Sequence, residues 1–188
     1  MSANTTAEQQ QAAANGSRQV LTFVLGNETY GVDILRVQEI RGWSAVTKIP
    51  HAPPHVLGVL NLRGSIVPIV DLRMRFELER AEYTAVTVII VVSVDTSSGR
   101  RDFGVVVDGV SDVVDVNSAE IKAPPELGTR GATDYLFGLV TVAERMVVLL
   151  DIDRLIDREL TVISGTAEES NEQAGDGTNA GSPAADAA

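Results

Sequence analysis

Apolar residues between positions 19 and 162 come in short runs, many of them alternating with polar neighbours, and clusters of Gly, Pro, Asn and Ser separate the runs. Period-two alternation marks strands with one buried face. The pattern predicts ten strands: VLTFVL (20–25), ETYGVDI (28–34), VQEIR (37–41), VLGVLNL (56–62), SIVPIV (65–70), AVTVIIVVSV (85–94), DFGVVVDGV (102–110), VVDV (113–116), LFGLVTVA (136–143) and RMVVLLDI (145–152). Turn signals fall between them, among them Gly26-Asn27, Arg63-Gly64, Ser97 to Arg100 and Pro124-Pro125. Short helical turns are expected at 71–76 and 151–159, the second because Ile152, Leu155 and Ile156 share a helical face.

Comparing the chain with itself adds more than the strands do alone. Shifted by 80 positions, LGVLNLRGSIVPIVDL (57–72) falls on FGLVTVAERMVVLLDI (137–152), so that Gly58 meets Gly138 and Asp71 meets Asp151. Shifted by 73, YGVDILRVQEI (30–40) falls on FGVVVDGVSDV (103–113), with Gly31 on Gly104 and Val37 on Val110. The chain reads as two versions of one small β unit. Units of this size are marginal alone and should pack together. The expectation is an all-β protein of two small, partly open β-barrels with few short helical turns. The folded part should span 19–162, divided at roughly 20–82 and 83–157, with strands able to exchange between the halves. Residues 1–18 and 163–188 lack apolar anchors and are expected to be disordered tails.

Composition narrows the function. The chain has 188 residues, a net charge of −11 and a pI of about 4.5, which argues against nucleic acid. Six acids and no base lie in 159–188, so much of the acidity belongs to the C-terminal tail. There is no cysteine, which excludes disulfides, thiol catalysis and cysteine-ligated metals. No apolar run is long enough to span a bilayer, and the first residues have no signal-peptide pattern, so the expected location is the cytoplasm without membrane insertion.

No chemistry-bearing constellation stands out. Walker A, G-x-S-x-G and G-x-G-x-x-G motifs are missing from the sequence. His51 and His55 share a Pro-interrupted loop that cannot present both on one helix face, so no metal is expected there. Asp108, Asp112 and Asp115 superficially resemble a calcium loop, but valines fill the intervening ligand positions; a β-turn at Asp108-Gly109 with solvated acids is the better reading. No cofactor is expected. A β-barrel enzyme using paired carboxylates remains the alternative from another class.

NLRGSIVPIVDL (61–72) sets one Arg and one Gly between two apolar runs. Arg63-Gly64 would form a hairpin tip. Pro68 cannot donate to a ladder, which suggests an edge strand or a bulge. An Arg on stiff β structure can hold carboxylates or carbonyls and is favoured at binding hot spots, whereas a merely solvated tip is the competing reading.

Taken together, VDILRVQEIRGW, VTKIPHAPPHVLGVLNLRGSIVPIVDLR, FGVVVDGVSDVVDV, YLFGLV and RMVVLLDIDRLI closely resemble the CheW family of chemotaxis coupling proteins, over about residues 20–157. The resemblance implies two SH3-like five-stranded β-barrel subdomains packed together and a non-enzymatic adaptor. It would couple the cytoplasmic tips of methyl-accepting chemotaxis receptors to the regulatory domain of the histidine kinase CheA in signalling arrays, with other CheW copies as ring partners. By position in the motifs, it places receptor binding at Val37, Glu39, Ile40, Arg63, Ile66, Val88 and Val113. Kinase binding falls at Gly58, Thr87, Gly104 and Val110. An adaptor of a parallel chemosensory or twitching-motility pathway fits the same residues.

Overall fold

The computed structural model describes residues 16–78, 82–96, 99–125 and 134–157. Ten strands carry the fold: β1 (Ser17–Leu25), β2 (Glu28–Asp33), β3 (Val37–Gly42), β4 (Val56–Leu62), β5 (Ser65–Asp71), β6 (Val88–Thr96), β7 (Gly99–Val107), β8 (Gly109–Asn117), β9 (Leu136–Val142) and β10 (Arg145–Leu150). Helix α1 (Leu72–Arg75) follows β5, and α2 (152–157) follows β10. None of the described helices is long and apolar enough to cross a membrane.

The strands form two five-stranded sheets, ordered β8-β1-β2-β10-β9 and β3-β6-β7-β5-β4. The second unit is therefore continuous in sequence, whereas the first combines β1 and β2 with β8 to β10. Across a cut near 82/83 strands are exchanged: β2 pairs with distant β10 and β1 with distant β8. Local periodicity carries no record of such long-range pairing. Strand β1 also begins at Ser17, ahead of the expected boundary at 19, because Ser17 and Arg18 lie opposite Asn117 and Val116. The two tails otherwise lie outside the described residues.

The duplication reappears in the register. Leu149 lies opposite Gly31 in the parallel β10–β2 pair, and Ile69 lies opposite Gly104 in the parallel β5–β7 pair. Those residues differ by the same shifts, 80 and 73, that align the sequence with itself. Each sheet is closed by one bridge outside its named strands: Thr47 exchanges backbone hydrogen bonds with Val59, and Lys122 with Leu139. Gly58 and Gly138 sit beside these bridges; a Cβ on Gly58 would lie 2.1 Å from the Thr47 carbonyl oxygen and one on Gly138 2.9 Å from that of Lys122.

Each unit keeps a small interior. Val20, Val116, Val140, Val147 and Leu149 fill the first, and Val67, Ile69, Ile89, Val91 and Val106 fill the second. A larger cluster lies between them, where Leu21, Phe23 and Leu25 of β1 meet Val92, Phe103, Val105 and Leu155. Burying apolar area stabilises by roughly 25 cal/mol per Å², so this shared layer holds the units together.

Two expectations need correction. Pro68 is not on an edge strand: β5 lies between β7 and β4. The β5–β7 pairing begins only at Ile69, one residue beyond the proline, so no ladder donor is needed there. Asp108-Gly109 is not a β-turn with solvated acids either. The chain passes there from one unit to the other, and Asp108 accepts hydrogen bonds from Gly26 N–H at 2.7 Å and Arg73 Nη1 at 2.9 Å.

The equivalent hairpins β4–β5 and β9–β10 turn through residues at positive φ: Arg63 (52°) and Gly64 (90°), Ala143 (46°) and Glu144 (65°). Two positive φ values are what a type I′ turn requires, and they disfavour side chains with a Cβ. Glu144→Gly is accordingly expected to stabilise the protein by about 1 kcal/mol, measured as a rise in the urea midpoint; an unchanged or lower midpoint would refute the strain.

Candidate functional site

Edge strand β3 carries Val37, Glu39 and Ile40, with a register shift between Val37 and Glu39. Val88 begins β6, the strand paired with β3, opposite Gly42. The 3-10 turn at Ile34–Arg36 starts β3 from the Asp33 side chain, which accepts the Leu35 N–H at 2.9 Å. The β4–β5 tip is fixed similarly, because Asn61 Oδ1 accepts the Gly64 N–H at 2.9 Å. This turn aims Arg63 outward, with its side chain 89% exposed.

Curling of the second sheet then brings opposite edges together. Arg63 Nη2 lies 3.3 Å from Glu39 Oε2, and Arg41 Nη1 lies 4.0 Å from Glu39 Oε1. Glu39 thus sits between two guanidiniums. A pair this open to water is worth about 0–1 kcal/mol to the fold, which leaves the Arg63 guanidinium free to take another acceptor.

The strands that carry the pair also expose apolar side chains, Ile40 on the face of β3 opposite Glu39. Ile66 is 63% exposed on β5, and Ile40 is 44% exposed on β3. Val37 and Val88 turn partly into the layer between the units. Val113, 48% exposed, lies on β8 of the other sheet. The structure therefore brings Glu39 to Arg63 and Val37 and Ile40 to Val88's strand, while Val113 stands on a separate unit. Val113 is the duplicate of Ile40, 73 positions on, so both exposed residues occupy the same place on their edge strands.

The residues matched to kinase binding behave differently. Gly104 sits on inner strand β7, where a Cβ would meet Ile69 Cδ1 at 2.4 Å. Gly58 has φ of 143° against the Thr47 backbone. Thr87 is buried; its hydroxyl accepts the Thr84 N–H at 2.9 Å and its carbonyl accepts the Trp43 N–H at 3.0 Å. Val110, on β8, is partly buried against the shared layer. All four shape the fold locally. The surface beside Thr87 is made by Val86, 69% exposed, at the mouth of a cavity of about 670 Å³ lined also by Leu25, Leu78 and Asp108. Sequence reasoning missed Val86 because it reads as part of a strand that in fact starts at Val88.

It also missed Arg73. This guanidinium is fully buried. Its Nε and Nη2 donate to the two oxygens of Asp71 at 3.0 and 2.8 Å, and its Nη1 donates to Asp108. Tyr83 O–H donates to Asp71 at 3.0 Å, and the Tyr83 ring lies under the guanidinium. The hydrogen bonds to Asp71, opposed by burial, raise the Arg73 pKa well above the ordinary arginine value. Burial, by contrast, raises the pKa of the Tyr30 phenol, which stacks in the column Phe23, Tyr30, Phe76, Tyr135.

Exposed aliphatic side chains beside a charged pair can hold another chain and fix its register; the class this defines is a binding module built of paired SH3-like barrels. Comparison with known proteins sharpens it. The model of the CheW-like domain matches residues 19–160. A chemotaxis protein CheW of Klebsiella aerogenes is 48% identical over 142 residues, covering 76% of this chain and 83% of that protein. Its counterpart in Bacillus subtilis is 32% identical over 143 residues, covering 74% and 87%. The crystal structure of the scaffolding protein TtCheW from Thermoanaerobacter tengcongensis is similar with a TM-score of 0.64 at 30% identity, covering 72% of this chain and 89% of that one. The chain belongs to the CheW-like family and is a chemotaxis coupling adaptor.

Proposed function

We propose that this adaptor joins the cytoplasmic tips of methyl-accepting chemotaxis receptors to the regulatory domain of the histidine kinase CheA, transforms no substrate, and works in the cytoplasm at receptor arrays. The receptor half rests on the open Arg63–Glu39 pair at 3.3 Å together with exposed Ile40 on β3 and Ile66 on β5. A receptor helix laid there would bury apolar side chains along one face, the helix-in-groove mode. The charged pair would set register and partner choice, which polar groups do better than they add affinity. A helix long enough to reach β8 would also meet Val113 of the first unit.

The kinase half rests on Gly58, Thr87, Gly104 and Val110. Their inward-facing positions mean they act by shaping a surface, and Val86 with the adjoining cavity is the part of it a partner can touch. Other copies of the chain would occupy further places in a ring.

The test is simultaneous binding. Purified protein is expected to hold a receptor signalling hairpin and the kinase regulatory domain together in one complex on size-exclusion chromatography. Binding of neither would overturn the reading. Retention instead of the kinase and receptors of another chemosensory or twitching pathway would reassign the output.

A further inference from the structure

The chain crosses between the two units twice among the described residues, once at the turn Ile34–Arg36 and once at Asp108. At each crossing a charged side chain is gripped from both sides. Asp108 takes the Gly26 N–H from the first unit and Arg73 from the second. Arg36 reverses the polarity. Its Nη1 donates to Asp95 of β6, in the second unit, at 2.7 Å, and its Nη2 donates to Asp153 of α2, beside the first. Asp153 also accepts the Asp95 backbone N–H at 2.9 Å, so the three groups form a closed clasp. The Arg36 hydrogen bond holds the Asp95 carboxyl below its usual range.

The two crossings lead straight into the surfaces assigned above. Val37 follows Arg36 directly, and Glu39 and Ile40 come next on β3. Val110 and Val113 follow Asp108 on β8. The apolar layer between the units holds them in contact, but burial is non-directional and resists separation better than rotation. Charge-assisted hydrogen bonds supply direction. Of the two clasps, Asp108–Arg73 belongs to a buried network. Asp95 is 62% exposed, which leaves the Arg36 clasp open to salt.

We propose that Arg36 is a positioning residue: it pins the angle between the two units, and with it the spacing of the β3 and β8 strips, without touching a partner. The strips' role rests on the proposed receptor contact; the angle does not. A bland surface ion pair would hold neither.

The test exploits the lack of cysteine in the chain. Gln38 and Ser111, exposed and equivalent by the 73-residue shift, are replaced by Cys and spin-labelled in the full chain. Electron–electron distance measurements are expected to give a narrow distribution that broadens in Arg36→Ala. Raising salt to about 1 M, where the screening length falls to about 3 Å, should broaden it in the unsubstituted chain. Arg36→Lys keeps the charge but loses the two-pronged fork and should fall between. Asp95→Asn removes one prong at an exposed carboxylate and gives the same readout should Arg36→Ala fail to fold. Affinity for a receptor hairpin should fall about tenfold in Arg36→Ala. An unchanged distribution in Arg36→Ala or Asp95→Asn overturns the proposal, and so does broadening with full affinity. Failure of the unsubstituted chain to bind the hairpin would sink the coupling reading and leave the distance result standing.

Discussion

Arg63→Ala is expected to keep the cooperative unfolding transition nearly unchanged while weakening binding of a receptor hairpin by about 30-fold, or ~2 kcal/mol. Arg63→Glu should abolish receptor control of kinase phosphorylation altogether. The two energies are separate. Among the described residues Arg63 meets Glu39, in the open, and that contact contributes little to folding. Against a helix, the same guanidinium would be covered by the partner and would lose little entropy, because a hairpin closed by the Asn61–Gly64 hydrogen bond already fixes its backbone. Reversing the charge adds repulsion with Glu39 and removes the donor. Equilibrium unfolding and receptor-controlled phosphorylation, measured on the same preparations, check both halves. Full control by Arg63→Glu would mean that the tip is a solvated turn.

Arg73→Ala should do the opposite, with a large loss of stability on the order of 3–5 kcal/mol. Removing this side chain leaves Asp71, fully buried, and Asp108, largely buried, without their cation. It also empties the space beneath the Tyr83 ring. With a urea dependence typical of a domain this size, the midpoint should fall by about 2 M. Arg73→Lys keeps a charge but cannot make the two-pronged contact with Asp71, and should lie between. A shift below about 0.5 M for Arg73→Ala would show that water reaches the carboxylates and that the network is no keystone.

These two arginines mark how far the sequence could be read. The strands were legible because alternation and turn residues are local signals, and the internal repeat announced two copies of one unit, whose equivalent registers at Gly31 and Gly104 appear only in the structure. Which strands belong to which unit was not legible. The β2–β10 and β1–β8 pairs join residues about a hundred positions apart, and no local pattern encodes that. At the site, Arg63 stood out because a turn with an Arg and a Gly is unusual between greasy runs. Its contact with Glu39 did not, since it depends on the sheet curling until its edges meet. Arg73 was invisible for a different reason. Charged residues are seldom buried, so an Arg after a strand reads as a solvent-facing helix start. Only the nearby positions of Asp71, Tyr83 and Asp108 in space show why it can be buried. Asp108 was misread as solvated for the same reason.

The two hairpin tips, 80 positions apart, end in Arg63-Gly64 and Ala143-Glu144. Had both halves kept one tip, each molecule would present the same handhold twice, and like would grip like in closed pairs. With a cation on one tip and an anion on the other, the duplicated halves offer unlike surfaces. Divergence at two turn positions is enough to make two halves of one design chemically distinct.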